Sequence, residues 1–303
     1  MSMKKFAVIL LLIGISLELS AQSFYNRRID RRWIASVGTG TAKYFGDLAN
    51  SGQIFQSTRY NLEAGLEYRF TSRVSARTGL TYFRIHGDDK DANSDGRVVR
   101  NLNFVGNNVE ISAVGIVQLF DESGRYYQRP VVNVNFFAGI ALLYFNPKTN
   151  IPATDYNGNP FPDAGKMTSL RQYQTEQVSY GPVTLAVPFG VGVKLKVSPF
   201  LNISANGGYR YTFTDYLDDI SNKYVGEDAF TDPLAQALAD RRPEIGLTPF
   251  DSGNKRGDPT KKDGYFMLSV RAEYYLPSNI FGNNNNRGRT YKKPKYRRGG
   301  KRR

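Results

Sequence analysis

The chain has 303 residues, 40% of them hydrophobic, with 29 glycines, 20 tyrosines, 19 phenylalanines, 14 prolines and no cysteine. Disulfide and thiol chemistry are thereby excluded, and beyond the N-terminus there is no run of twenty apolar residues from which a spanning helix could be built. The net charge of +14 is uneven: residues 277–303 carry +10 with no acid and residues 1–22 carry +1, so the body between them is near balance at about +3.

The start, MSMKKFAVILLLIGISLELSAQ, sets Lys4 and Lys5 before an apolar run from Phe6 to Leu17, then small residues at Ser20 and Ala21. This is the layout of a secretory signal peptide over residues 1–22. A short basic segment, 23–32, follows. From there the chain alternates apolar and polar residues in long runs, the period of an extended strand with one greasy face.

The first run, Trp33–Phe45, opens on a tryptophan placed as an interfacial aromatic. The second, 60–70, sets Leu62, Ala64, Leu66, Tyr68 and Phe70 against Asn61, Glu63, Gly65, Glu67 and Arg69. Only Thr71 and Ser72 separate it from the third, 73–85. The fourth is 107–120. The fifth, 131–145, is apolar on both faces for much of its length, so the pattern leaves its facing open. The sixth and seventh, 183–197 and 201–213, form a hairpin about Ser198 and Pro199, and each arm exceeds the roughly 9 to 11 residues that a tilted strand needs to cross a bilayer. The eighth is 265–276.

The connections alternate between short and long. Short links follow runs two, four and six, and long ones follow runs one, three, five and seven. Long-short alternation over an even strand count predicts an all-β fold: an eight-stranded antiparallel transmembrane β-barrel over residues 33–276, with short periplasmic turns, long extracellular loops and both termini in the periplasm. A soluble lipocalin-like barrel, with its apolar face inward, is the competing architecture. If the apolar face meets outer-membrane lipid, the lumen receives Glu63, Glu67, Arg69, Arg73, Arg77, Glu110, Lys194, Lys196, Arg210, Arg271 and Glu273. Both signs are present, which predicts a filled, salt-bridged interior rather than an open pore. Pro188 should produce a bulge or a missing ladder bond, because a closed sheet has no edge to tolerate it. In the last long loop, Asp232 and Pro233 open a short helix as N-cap and first helical residue.

Several motifs invite chemistry. Asp91, Asn93, Asp95 and Gly96 match the first half of a calcium loop, but the twelfth position is Leu102, so a polar external loop is the better reading. His86 beside Asp88 and Asp89 could activate water or a nucleophile. It is the single histidine and has no serine motif near it, so the expectation is no enzyme, no catalytic or metal site and no cofactor. Asp47, Asp215, Asp218 and Asp219 each follow closely on a strand end, which predicts an acidic cluster at one rim; turn-capping in a solvated loop is the alternative. The disordered tail, 277–303, presents Arg287, Arg289, Lys292, Lys293, Lys295, Arg297, Arg298, Lys301, Arg302 and Arg303. The leader argues against nucleic acid as its partner, leaving a periplasmic protein assembly or peptidoglycan.

Five motifs carry a family resemblance: Tyr44-Phe45-Gly46-Asp47, Arg100-Asn101-Leu102 with Phe104, Phe145-Asn146-Pro147, Pro188-Phe189-Gly190, and Thr214-Asp215-Tyr216-Leu217-Asp218-Asp219. In these the chain resembles small outer-membrane barrels of Bacteroidetes-type bacteria, a family that includes PorG of the type IX secretion system. The resemblance spans roughly residues 33–276, and the last motif is its most specific part. It implies an outer-membrane barrel and, more distantly, a structural or docking role in an envelope assembly such as type IX secretion. The alternative is a passive small-solute channel.

Overall fold

A computed structural model describes residues 31–49, 58–92, 95–122 and 128–277. Within them the strands are β1 (Trp33–Phe45), β2 (Arg59–Arg69), β3 (Val74–Asp88), β4 (Asn103–Gln118), β5 (Val132–Tyr144), β6 (Pro147–Asn150), β7 (Met167–Ser169), β8 (Val183–Lys196), β9 (Leu201–Thr212) and β10 (Gly264–Tyr275). The sheet runs β3-β2-β1-β10-β9-β8-β5-β4, and β4 pairs back onto β3 along its length, from Val74 opposite Val117 to Asp88 opposite Asn103. Eight antiparallel strands thus close into a barrel with no free edge, which pairs the wall strand to strand, as a hydrocarbon surrounding demands.

Burial alternates residue by residue and settles which face is which. Val37, Leu62, Leu80, Ile111, Ile140, Leu185, Val191 and Val270 are exposed on the outside, whereas Glu67, Arg77, Glu110, Lys194, Arg210, Arg271 and Glu273 are buried within. Apolar out and polar in excludes the lipocalin-like arrangement. Aromatic residues gather near both ends of the wall: Trp33 packs on Tyr68 at 4.8 Å and Tyr68 on Phe70 at 5.2 Å, while Tyr60 and Tyr82 stand 6.2 Å apart at the long-loop end with Phe45 against Tyr209 at 5.8 Å. Such girdles suit the level where hydrocarbon meets headgroups. The ambiguous β5 turns Val132, Phe136, Ile140 and Tyr144 outward and Asn133, Asn135, Phe137 and Leu143 inward.

The lumen is filled by pairs. Lys194 lies 3.1 Å from Glu273 and 3.7 Å from Glu122, and Glu122 also accepts the Tyr275 hydroxyl at 2.7 Å. Arg129 donates to Asn202 at 2.8 Å and lies over the Tyr275 ring. Farther along, Arg271 forks onto Glu63, and Tyr265 donates to Glu110 at 2.5 Å beside Arg210. Glu122 and Arg129 come from the two described ends of the connection between β4 and β5, and their side chains reach back into the barrel mouth; strand periodicity carries no sign of that. Arg73 departs from expectation. It sits at the turn, exposed, on Asp121 at 2.6 Å, because β3 begins one residue later than the pattern suggested.

Pro188 breaks the ladder without a bulge. The pairing of β5 with β8 lapses between Ala138–Phe189 and Ala141–Ala186, yet the register is the same on both sides, and Pro188 still pairs opposite Arg210 on β9. The missing donor falls on the β5 side alone.

β3 and β4 also run beyond the expected bounds, to Asp88 and from Asn103, and so rise past the neighbouring strands. Onto this raised flap pairs β6, and β7 onto β6. The helix Pro233–Ala239 forms as expected, with Asp232 accepting the Leu234 amide at 2.9 Å. Above the polar lumen the inward residues turn apolar: Tyr44, Phe83, Ile85, Phe104, Leu143 and Tyr265 from the strands meet Leu48, Leu102, Leu170, Leu217, Ile220 and Leu238 from the loops in one core. The described parts of the long loops therefore form a packed head over the mouth.

Replacing Lys194 with Met should leave Glu273 and Glu122 facing each other without their cation, at a cost of about 3–5 kcal/mol. Urea unfolding of the refolded barrel in detergent micelles measures this, and adding Glu273→Gln to the same chain should restore part of the loss.

Candidate functional site

The motif 214–219 leaves β9 and drops straight into the head. Asp215, Asp218 and Asp219 are buried, at 3%, 1% and 1% exposure, and Asp47 is half-buried. The four acids do lie at the long-loop rim, but the carboxylates of the last motif face into the head rather than toward solvent. Asp218 and Asp219 pin two other loops, Asp215 braces its own, and Asp47 ties the first long connection to the last.

Asp218 is the centre. Its Oδ2 accepts the Tyr44 hydroxyl at 2.7 Å and the Leu48 amide at 3.2 Å, and its Oδ1 accepts the Ile220 amide at 3.0 Å. Asp263, next to the first residue of β10, lies 2.7 Å from the same Tyr44 hydroxyl and accepts the Leu217 amide at 2.9 Å. A phenol has one proton to donate. Two carboxyl groups at 2.7 Å from one hydroxyl can both be bonded only if one of them is itself protonated and donates to the phenol oxygen. Burial pushes both carboxyls above the ordinary carboxylate range, reinforced at Asp218 by Asp47 and at Asp263 by Asp218. The two contacts accommodate one proton shared by the pair, the arrangement that closely spaced buried carboxyls favour.

Asp219, held at φ 70°, accepts from Thr175 and Tyr180 at 2.5 Å each. Its backbone carbonyl accepts from Arg256 at 2.7 Å, and Arg256 also bonds Glu176 at 2.8 Å. Glu176 in turn accepts the Ser221 amide at 2.9 Å. Burial raises Asp219 to about 6 against the opposing pull of Arg256. Asp215 accepts the Ser221 hydroxyl at 2.7 Å, and Asp47 accepts the Asp258 amide at 2.9 Å. Arg100 completes the frame: it forks onto Asp89 at 2.7 and 2.8 Å and donates to the carbonyls of Arg256 at 2.6 Å and Asp47 at 3.2 Å. One cation thereby ties the first, second and last long connections together.

The partners Tyr44, Glu176, Arg256 and Asp263 escaped sequence reasoning. Glu176 and Arg256 sit in loops with no periodicity. Asp263 carried one available signal, an acid directly before a strand, the mirror of Asp47 and Asp215 just after one.

The other candidate chemistry is not assembled. His86 lies on the outward face of β3, while Asp89 is fully buried and bonded to Arg97 at 3.1 Å and to Arg100. Asn93 and Ser94 of the calcium-like motif lie outside the described residues, and among those described no three His, Cys, Asp or Glu side chains are spaced to hold a metal. Residues 1–22, expected to be a signal peptide, and the basic positions from Arg287 to Arg303 also lie outside the described residues.

A closed eight-stranded antiparallel wall with an apolar exterior, aromatic girdles and a charged, filled lumen defines a transmembrane β-barrel of the outer-membrane class. No protein-family model and no curated protein matches the sequence. Among solved structures the chain is similar to Neisserial surface protein A, at 9% identity over 80% of this chain and 97% of that one, with a TM-score of 0.40. It is also similar to OprG of Pseudomonas aeruginosa (7%, 83% and 100%, TM-score 0.37) and to Ail of Yersinia pestis (10%, 81% and 100%, TM-score 0.36). The class rests on the register and on the two faces of the wall, not on these distant likenesses.

The shared proton fixes a pH dependence. Because Asp218 and Asp263 are raised in the closed head, it binds more protons than an opened one, so its stability should fall as pH rises from about 4 through the raised values. Limited proteolysis of the head between pH 5 and pH 9 should show protection declining with pH. Asp263→Asn, which keeps a neutral donor, should flatten that decline. Tyr44→Phe should open the head at every pH by about 1–3 kcal/mol.

Proposed function

We propose that this chain is a non-enzymatic outer-membrane barrel of a Gram-negative bacterium that serves as a structural or docking component of a cell-envelope assembly. The observation carrying this reading is the double closure of the barrel: a paired, filled lumen below and a packed head above. A wall whose interior is occupied by Glu122, Lys194, Glu273, Arg271 and Glu63, and whose mouth is covered by Leu48, Leu217, Ile220 and Leu238, supports a filled barrel rather than a solute channel. What it offers instead is a fixed frame with a rigid outer face.

The two ends of the chain add the periplasmic half of the proposal. Arg31 donates to the Tyr275 carbonyl at 2.7 Å, and the Leu276 amide pairs with the Trp33 carbonyl at 2.9 Å, so both ends of the barrel chain leave at the short-turn mouth. In the usual insertion geometry that mouth faces the periplasm. There the ten basic residues of 277–303 would bind an anionic partner, either a protein of the assembly or peptidoglycan. The resemblance to the family that includes PorG favours type IX secretion as that assembly.

Planar-bilayer recordings test the sealed lumen: the intact protein should be silent, and steady ion conductance would favour the passive small-solute channel. The docking half is read separately. Deleting residues 287–303 should leave insertion and heat-modifiable migration intact while reducing recovery of envelope partners in pull-downs. For the full-length protein that recovery should fall as salt is raised.

A further inference from the structure

Midway down the barrel four adjacent strands present small residues inward at one level. Ser36 on β1 stands opposite Gly65 on β2, Gly65 opposite Gly79 on β3, and Gly79 opposite Ser112 on β4. The missing side chains leave a cavity of about 20 Å³, room for a single water-sized particle. Both hydroxyls reach into that space: a Cβ placed on Gly65 would stand 2.9 Å from Ser36 Oγ, and one on Gly79 would stand 3.1 Å from Ser112 Oγ. Val114 and Phe137 line it with apolar surface.

The charged lining is lopsided. Three guanidiniums, those of Arg77, Arg210 and Arg271, share the cavity with two carboxylates, Glu63 and Glu110. Both carboxylates are committed, Glu63 to Arg271 and Glu110 to Tyr265 and Arg210. Arg271 keeps a buried Nη1 with no hydrogen-bond partner. Arg77 is buried against the Phe137 ring, 5.9 Å from its centroid, and among the described residues it forms no hydrogen bond and no ion pair. Its cross-strand neighbour Glu67 accepts the Ser75 hydroxyl at 2.7 Å and keeps its charge, yet no carboxylate among the described residues comes within ion-pair distance of Arg77. A guanidinium this deep, without a counter-charge in contact, is an expensive arrangement unless something anionic occupies the space beside it.

We infer that this cavity is a binding site for one small monovalent anion, chloride, held by Arg77 and Arg271 with the hydroxyl of Ser112, the Ser36 hydroxyl being turned to the Gly65 carbonyl at 3.4 Å. Chloride is close to water in size, carries the single negative charge that the lining lacks, and takes N–H and O–H donors without requiring a fixed geometry. Sulfate and carboxylates are too large for the space. The site is independent of any docking role, since it lies inside the wall.

Bromide substitutes for chloride and scatters anomalously. Crystals of the wild-type barrel refolded and grown in sodium bromide should show one bromide peak in the cavity, in contact with Arg77 and Arg271. Density there without an anomalous signal means water, and would overturn the inference. A solution measurement guards against a variant that fails to fold. At constant ionic strength, replacing gluconate by chloride should raise the heat-modifiability midpoint of the wild type along a saturating curve. The curve should be flat for Arg77→Gln, which removes the cation, and for Gly79→Ala, which keeps every charge but fills the space. A wild-type midpoint indifferent to the halide, or an equal rise in Gly79→Ala, would place no chloride in this cavity.

Discussion

Everything in this barrel depends on removing the unpaired edge of a sheet from hydrocarbon. An unbonded peptide group facing lipid costs several kcal/mol, so β3 must find β4 and β1 must find β10 along their full lengths. Once the sheet is closed, alternation leaves the inner face no choice. Polar side chains excluded from lipid are forced together in a narrow space, where opposite charges, hydroxyls and amides settle one another beside the apolar patch of Val114, Ile116 and Phe137. The chain Glu122, Lys194, Glu273 and the fork of Arg271 on Glu63 are consequences of closure before they are sources of stability. The same logic explains the cost of removing one partner, because its neighbours have nowhere to turn.

The head obeys the opposite rule. Past the bilayer the outer face meets water, and a folded unit there must hide apolar surface inside, as soluble domains do. The interior therefore changes character along a single strand. On β3 the inward series passes from Ser75 and Arg77 through Gly79 and Thr81 to Phe83 and Ile85. That switch marks the level at which the chain leaves the membrane, read from the inside of the wall.

Much of this was legible in the residues. Strict alternation in 60–70, 183–197 and 201–213 set the strands and their facing to within a residue or two, because a half-buried strand has a period of two and nothing else does. The facing of β5 was not legible: Phe136 and Phe137 are both apolar, and one meets lipid while the other meets the Val114 and Ile116 patch inside. The acids of 214–219 were visible as a rim cluster, but not their burial, since that depends on Tyr44, Glu176, Arg256 and Asp263, which lie far away in sequence. Neither could a pattern search find Glu122 and Arg129. They belong to the ends of a connection, and one whose side chains reach back into a barrel looks in sequence like one whose side chains do not.

The Tyr44 hydroxyl joins β1 to Asp263, the residue just before β10, and so ties the first strand of the barrel to the entry of the last. At the opposite mouth the same two strands are held by Arg31 on the Tyr275 carbonyl and by the Leu276 amide on the Trp33 carbonyl. In a barrel the junction of the chain's two end strands is the one place where strands can part without pulling a connecting loop apart. Here that junction is stapled above and below its ladder, which leaves the wall no lateral gate at its natural point of weakness. A lipid or a neighbouring strand would meet a closed surface at this junction.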